Sequence, residues 1–391
     1  MNTLLLYSSG GARRDLILHT YFNPILDLLE SSSGLVKKIR SHKFQKFYYS
    51  IVSPYQSLSY TNDWKEAFEA SKEYSITAKN ILNQKKTQRF LKQNIQKFDL
   101  VIILHSAIGD NVKLIQPYKN YLLNRKGQVL SFLGNEYSLM KEKKKFLSEI
   151  EVDYIASQLP EMAFRSVYSD MNAKLIAAPH ALQQKFYIPP MHKKKFDISF
   201  VGARYPLFIG DNERNTLIDY VSKETPYFNN NISIGKNKNM PRHMWKELLQ
   251  NSRATVGAEA GTYFLDSEGE LMEKAKSFEN ENPDCTLEEL IQEIFEKTPI
   301  KYINGKAISS RHFEPIGTKC CQILLEGTYN GILKEDEHFI GVKKDYSNFD
   351  EVIEKYKNPR KRKEIVDSAY DHVITHHTYE KRVQSILNQI T

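Results

Sequence analysis

Along most of the chain, apolar runs of strand length alternate with amphipathic stretches of helical length. Residues 3–7 read as a strand, followed by a glycine-containing turn and a helix through Leu29. Residues 98–104 (FDLVIIL) form a continuous apolar run, the pattern of a strand covered on both faces. Residues 128–132, 153–156 and 174–177 are further short strands, with helical stretches over 63–91 and 139–149 between them. Strands that alternate with helices predict a parallel sheet covered by helices.

The alternation stops at residues 187–195 (YIPPMHKKK), where two prolines and a lysine run make a linker. It then restarts. Strands are predicted over 196–201, 232–234, 254–257 and 322–325. Helices are predicted over 213–222, 241–251, 314–321, 349–356 and 359–390, with Pro241 in a first turn. Residues 268–297 form a long acidic helical stretch broken by Asn282-Pro283. The expected architecture is α/β: two doubly wound, Rossmann-like domains facing a cleft. The first spans residues 1–188 and takes back the closing helix, about 376–391; the second spans 189–375. Open parallel sheets bind ligands at the carboxyl ends of their strands, so two facing sheets suit a two-substrate transferase.

Composition narrows the classes. The 391 residues are 41% hydrophobic and 26% charged, enough for a large core and unlike a disordered chain. Seventeen Gly and fourteen Pro show no period, which excludes collagen-like and low-complexity chains. Of three Cys, Cys320 and Cys321 are adjacent and none forms a CxxC pair, so neither a disulfide framework nor a cysteine-rich zinc site is expected. No apolar run approaches the ~18 residues of a membrane helix, and the start lacks the basic-then-apolar order of a signal peptide. A cytoplasmic protein is expected. Charge is uneven: residues 1–190 carry 26 Lys and Arg against 16 Asp and Glu, whereas the remainder carries 29 against 31. The basic first half fits an anionic partner, such as a membrane surface or a phosphorylated acceptor, or simply a solvated lysine-rich face.

The most informative stretch is residues 309–326, SSRHFEPIGTKCCQILLE. Pro315 places a helix start near Phe313 or Glu314. Arg311 and the free amides of that first turn make an anion site, and Glu314 there is placed to accept from a ribose diol. The same pair also reads as a first-turn carboxylate and its surface neighbour. In the first half, Ser8-Ser9-Gly10-Gly11 follows the opening strand, where glycines let a backbone approach a phosphate or sugar; a plain tight turn fits as well. Asp15, His105 and Glu136 lie at or beyond strand ends and are candidates to deprotonate an acceptor hydroxyl. His372, His376 and His377 lack a further ligand at metal spacing, so no metal site is expected.

Residues 309–326 resemble the carboxyl-terminal signature of GT-B glycosyltransferases, nearest to glycosyltransferase family 1 members of the spore maturation protein CgeB-like group. The ending HHTYEKR (376–382), the segment FDISFVGARYP (196–206) and residues 153–157 with Ala178-Pro179-His180 resemble the same group, covering roughly residues 95–391. The resemblance implies a donor site built from Ser309, Ser310, Arg311, Glu314 and Gly317, with Glu314 on the nucleotide ribose. Family members carry a second glutamate eight positions earlier; here that position is Lys306, and Glu259 is the substitute candidate. Basic residues on the donor diphosphate are expected at Arg204, Lys236 and Arg311, with Gly10 and Gly11 closing in from the first domain.

The resulting expectation is a metal-independent, cofactor-free glycosyltransferase. It would use a nucleotide-sugar donor and a glycan, lipid-linked or other cell-surface precursor acceptor, with peripheral association at an anionic inner membrane face and no nucleic acid. The competing readings are a nucleotide-sugar epimerase or hydrolase of the same fold, and a non-catalytic binding protein for an anionic polymer.

Overall fold

The structure, a computed structural model, describes residues 1–8, 59–109, 112–235 and 240–390. Gly10, Gly11, Asp15, Lys236 and the helix expected through Leu29 lie outside the described residues.

The first sheet is wholly parallel, in the order β2-β1-β3-β4-β5-β6. Its strands are β1 (Asn2–Tyr7), β2 (Ser75–Asn80), β3 (Leu100–Ile103), β4 (Gln128–Phe132), β5 (Tyr154–Ser157) and β6 (Lys174–Ala177). The four residues of β3 are fully buried, as a strand sandwiched between helix layers requires. Helices α1 (Ser59–Glu69), α2 (Gln84–Asn94) and α3 (Met140–Glu149) are among the coverings. The single helix expected over 63–91 is therefore α1, the edge strand β2 and α2. The polar sequence of β2, SITAKN, carries no apolar run because an edge strand is only half covered.

The second sheet, also parallel, runs β11-β10-β9-β7-β8. It comprises β7 (Phe196–Gly202), β8 (Asn231–Ile234), β9 (Ser252–Gly257), β10 (Cys321–Leu325) and β11 (Ile340–Val342). Helices α4 (Glu213–Glu224), α5 (Arg242–Asn251), α6 (Glu270–Glu281), α7 (Ser310–Gly317) and α8 (Pro359–His376) belong to this half of the fold. Pro241 is the N-cap of α5, one position before the first turn. The closing helix is interrupted at His377, and α9 (Tyr379–Leu387) buries Tyr379, Val383, Ile386 and Leu387 in the core of the first domain. Two parallel sheets with their helices, joined this way, form a GT-B fold.

Three connections tie the domains. At the crossover, Leu182 N–H donates to the His377 carbonyl at 2.9 Å, and Tyr379 N–H donates to the Leu182 carbonyl at 3.0 Å. From the second domain, residues 260–307 leave and return through antiparallel bridges, Ala260 to Ala307 and Leu265 to Ile303. Leu265 then enters the first domain's core. Beside it, Lys144 of α3 binds Glu268 at 3.2 Å and Asp170 at 2.6 Å. Across the cleft, Arg242 at the start of α5 pairs with Asp63 and Glu66 of α1.

Candidate active site

The crossover helix α7 starts at the carboxyl end of the second sheet, the ligand-binding edge of such sheets. It begins at Ser310, one full turn before the expected start, and Pro315 lies inside it. Glu314 is thus the fifth helical residue and not a first-turn carboxylate. Ser309 is the N-cap, and its backbone N–H donates to His312 Nδ1 at 2.9 Å. His312 Nε2 donates to the Ala258 carbonyl beyond β9 at 3.1 Å. That pattern requires a neutral imidazole, and burial brings His312 down to about 4. The helix start is thereby pinned to the sheet edge.

Arg311 extends from this pinned turn with an exposed side chain. Its Nη1 donates to the Val201 carbonyl of β7 at 2.8 Å, and its guanidinium sits 4.4 Å from the Trp245 ring centroid. Arg214, at the start of α4, lies nearby. Its guanidinium stacks 3.3 Å from the Tyr205 ring centroid and donates to the Ala203 carbonyl. Burial, with the charge of Arg311 contributing, depresses the Arg214 pKa below the usual guanidinium value. Two cations thus share the carboxyl end of β7, where an anion lowers the energy of both. Glu314 is buried, and Trp245 Nε1 donates to its Oε2 at 2.6 Å. Its charge is also felt by Asp63 of the first domain, whose carboxyl is raised well above the usual range, mainly by burial.

Other expected residues are placed differently. Arg204 stands at the end of β7 but is half exposed and binds Asp219 through two contacts of 2.7 and 2.8 Å. Glu259 is buried and accepts from Tyr329 N–H at 2.6 Å and Thr328 Oγ1 at 3.1 Å, so it braces the loop after β10. Gly317 faces the crossover: a Cβ there would come within 2.6 Å of Leu182 Cδ1 and 2.7 Å of the Tyr187 carbonyl oxygen. Only glycine permits that approach, and it is a packing contact. Lys306 is buried against Asp211 and Glu213.

On the facing sheet, Glu136 accepts from Tyr168 Oη at 2.6 Å, Ser157 Oγ at 2.7 Å and Gln158 N–H at 3.2 Å. It is raised by burial and has its oxygens engaged, which suits a brace better than a base. His105 begins a short helical turn directly after β3, packed between Tyr60, Trp64, Phe132 and His180. Neither of its ring nitrogens has a hydrogen-bond partner among the described residues. Burial and then His180 hold it well below the usual imidazole value. His180 Nδ1 lies 3.1 Å from Tyr379 Oη. Among the described residues no cluster of His, Cys, Asp or Glu is arranged to hold a metal ion, and no helix is long and apolar enough to cross a membrane.

Arg214 and Trp245 were not singled out in the sequence. Arg214 has a signal, a cation opening the first helix after β7; Trp245 has only its rarity, one of two tryptophans.

Residues 290–388 match the sequence model of a family described as glycosyl transferase-like. No curated protein matches the chain. Among solved structures, T4 phage BGT in complex with its UDP-glucose substrate is similar, with a TM-score of 0.51 and 10% identity over 100% of this chain and 99% of that one. Anabaena Alr3699/HepE in complex with UDP has a TM-score of 0.47 and 8% identity, covering 100% of this chain and 99% of that one. TarM has a TM-score of 0.44 and 9% identity over 78% of this chain, which spans 57% of TarM. The chain thus shares its fold with the T4 phage enzyme and carries a glycosyl transferase-like segment over residues 290–388.

Proposed function

We propose that the chain transfers a sugar from a nucleotide-activated donor, held by the second domain, to a glycan, lipid-linked or other cell-surface precursor acceptor presented by the first. The observation that carries this reading is the pairing of Arg311 and Arg214 at the carboxyl end of β7, one helical turn from the buried carboxylate of Glu314. Arg311 and Arg214 face the diphosphate and Glu314 takes the ribose hydroxyls. The match of this segment to a glycosyl transferase-like family, and the UDP-glucose bound by the T4 phage enzyme of similar fold, support the same assignment.

In this reading the acceptor oxygen forms a bond to the anomeric carbon as the bond from that carbon to the diphosphate oxygen breaks. The electron pair leaves with the nucleoside diphosphate, where the two guanidiniums stabilise the growing charge. The hydroxyl proton is released to a base on the acceptor side of the cleft; burial disfavours the protonated ring of His105, so that imidazole suits the role poorly. With the chain's cations serving the leaving group, chelation by EDTA should leave the rate unchanged.

Calorimetric titration of UDP, GDP and ADP tests the donor site. One of them should bind, and a ligand at 100 times its Kd should raise stability by ~2.7 kcal/mol. Arg311→Ala should lower kcat ~10²-fold with a donor identified from that screen. Absence of nucleotide binding, or full activity in Arg311→Ala, overturns the reading.

A further inference from the structure

Glu314 and Arg311 have opposite charge and opposite expected tasks, yet one side chain holds both. Trp245, on the second turn of α5, is 5% exposed and packs in the core among Val201, Leu249, Phe313 and Ile316. Its indole N–H donates to Glu314 Oε2 at 2.6 Å. Its ring face carries the Arg311 guanidinium at 4.4 Å, while Arg311 Nη1 is tied to the Val201 carbonyl at 2.8 Å. The indole thus holds one oxygen of the carboxylate in place. It also carries the guanidinium over its ring, a cation–π contact that adds to the hydrogen bond to Val201.

We propose that Trp245 is a positioning residue of the donor site, its N–H orienting Glu314 toward the nucleoside and its ring orienting Arg311 toward the diphosphate. This rests on the donor-site assignment above. A plain core tryptophan needs a hydrogen-bond partner for its N–H, but a backbone carbonyl serves. Here the partner is the carboxylate proposed to hold the ribose, and the guanidinium on the ring is the one proposed to hold the phosphate. The two atoms groups also separate chemically. Trp245→Phe removes the N–H and keeps an aromatic face, whereas Trp245→Leu removes both.

The experiment is a titration of UDP, GDP, ADP and inorganic pyrophosphate into wild type, Trp245→Phe, Trp245→Leu, Glu314→Gln and the double variant Trp245→Phe/Glu314→Gln. Trp245→Phe should weaken the best nucleotide ~10-fold and pyrophosphate less than 2-fold, as expected for a lost charge-assisted hydrogen bond on the nucleoside side. Trp245→Leu should weaken both. In the Glu314→Gln background the Phe change should cost much less, because the carboxylate it orients is gone. A merely structural role predicts equal losses in both backgrounds and for both probes, and that result overturns the inference. If Glu314→Gln and Arg311→Ala weaken nucleotide binding but Trp245→Phe does not, only the inference falls. If wild type binds none of the nucleotides, the donor-site reading falls and takes the inference with it. Should Trp245→Phe not fold, 5-fluorotryptophan NMR of the wild-type chain supplies the second readout, since only two tryptophans contribute. The resonance that Glu314→Gln displaces must also move on nucleotide addition; one that stays still overturns the inference.

Discussion

Lys306 and Asp211 form an ion pair at 2.5 Å with side chains 1% and 2% exposed, and Glu213 stands 3.3 Å from the same ammonium. Burial pulls the Lys306 pKa down, but the two carboxylates outweigh it and hold the group above its ordinary value. The pair fixes the chain before α4, which carries Arg214, to the returning arm that leads into α7, which carries Arg311. Lys306, at the position where the sequence resemblance leads one to expect a glutamate, is therefore a structural cation in this chain.

Removing one partner of such a pair strands a buried charge, at a cost of ~3–5 kcal/mol. Lys306→Met should lose stability on that scale in denaturant unfolding, and Asp211→Asn less, because Glu213 still faces the ammonium. The double variant Lys306→Met/Asp211→Leu should lose much less, since the remaining carboxylate, Glu213, keeps Lys344 at 2.8 Å. Additive losses would contradict the pairing.

Arg204 and Arg214 separate on the same reasoning. Arg204 is half exposed and spent on Asp219, so Arg204→Ala should change stability by less than ~1 kcal/mol and kcat by less than about 2-fold. Arg214 sits against Arg311, and Arg214→Ala should lower kcat ~10²-fold while the fold persists. Steady-state rates of the two variants check this; equal effects would return Arg204 to the donor site.

Much of this was legible in the chain, and the failures are physical. β3 announces itself because a strand buried on both faces must be apolar throughout, and β7 does so through the buried run from Ile198 to Val201. β2 and the three-residue β11 do not, one because it is a polar edge and the other because it is too short for any period. The signature 309–326 falls at the carboxyl edge of the second sheet, but Pro315 misplaces the helix start because the first turn is set by Ser309 and His312, whose contacts span the sheet edge. Arg204 and Arg214 are both cations beyond β7. Which one is free depends on Asp219, and no local pattern reveals that pairing.

The insertion between β9 and α7 reads as a separate acidic helical stretch, yet Leu265 is 1% exposed in the first domain's core. Leu265→Ala should cost ~2–5 kcal/mol, the range for a buried leucine truncation. The loss should appear as loosened coupling between the domains, with faster amide exchange in α3 and in residues 260–307 together. Exchange that rises in the insertion alone would show that it does not brace the first domain.

Acid stability follows from the buried imidazoles. Burial holds His312 at about 4 and His180 at about 3, and it pushes His377 down to about 3 and His105 well below the ordinary value. In the unfolded chain these groups take up protons near 6.5. Below that pH the unfolded state binds protons that the folded state refuses, so stability falls as pH falls. Each fully buried histidine adds ~1.4 kcal/mol per pH unit between 6.5 and its folded value. His180 and His312 together therefore remove ~3 kcal/mol per unit down to about pH 4, with the partly exposed His377 adding less. Asp197 and Glu213 are held below their ordinary values despite burial, by their hydrogen bonds and neighbouring cations, and they extend the loss at the acid end. Denaturant unfolding between pH 7 and pH 4.5 should show this slope, and His312→Gln should flatten it by about one histidine's share. A stability constant from pH 7 to pH 5 would mean that these imidazoles are not held neutral in the fold.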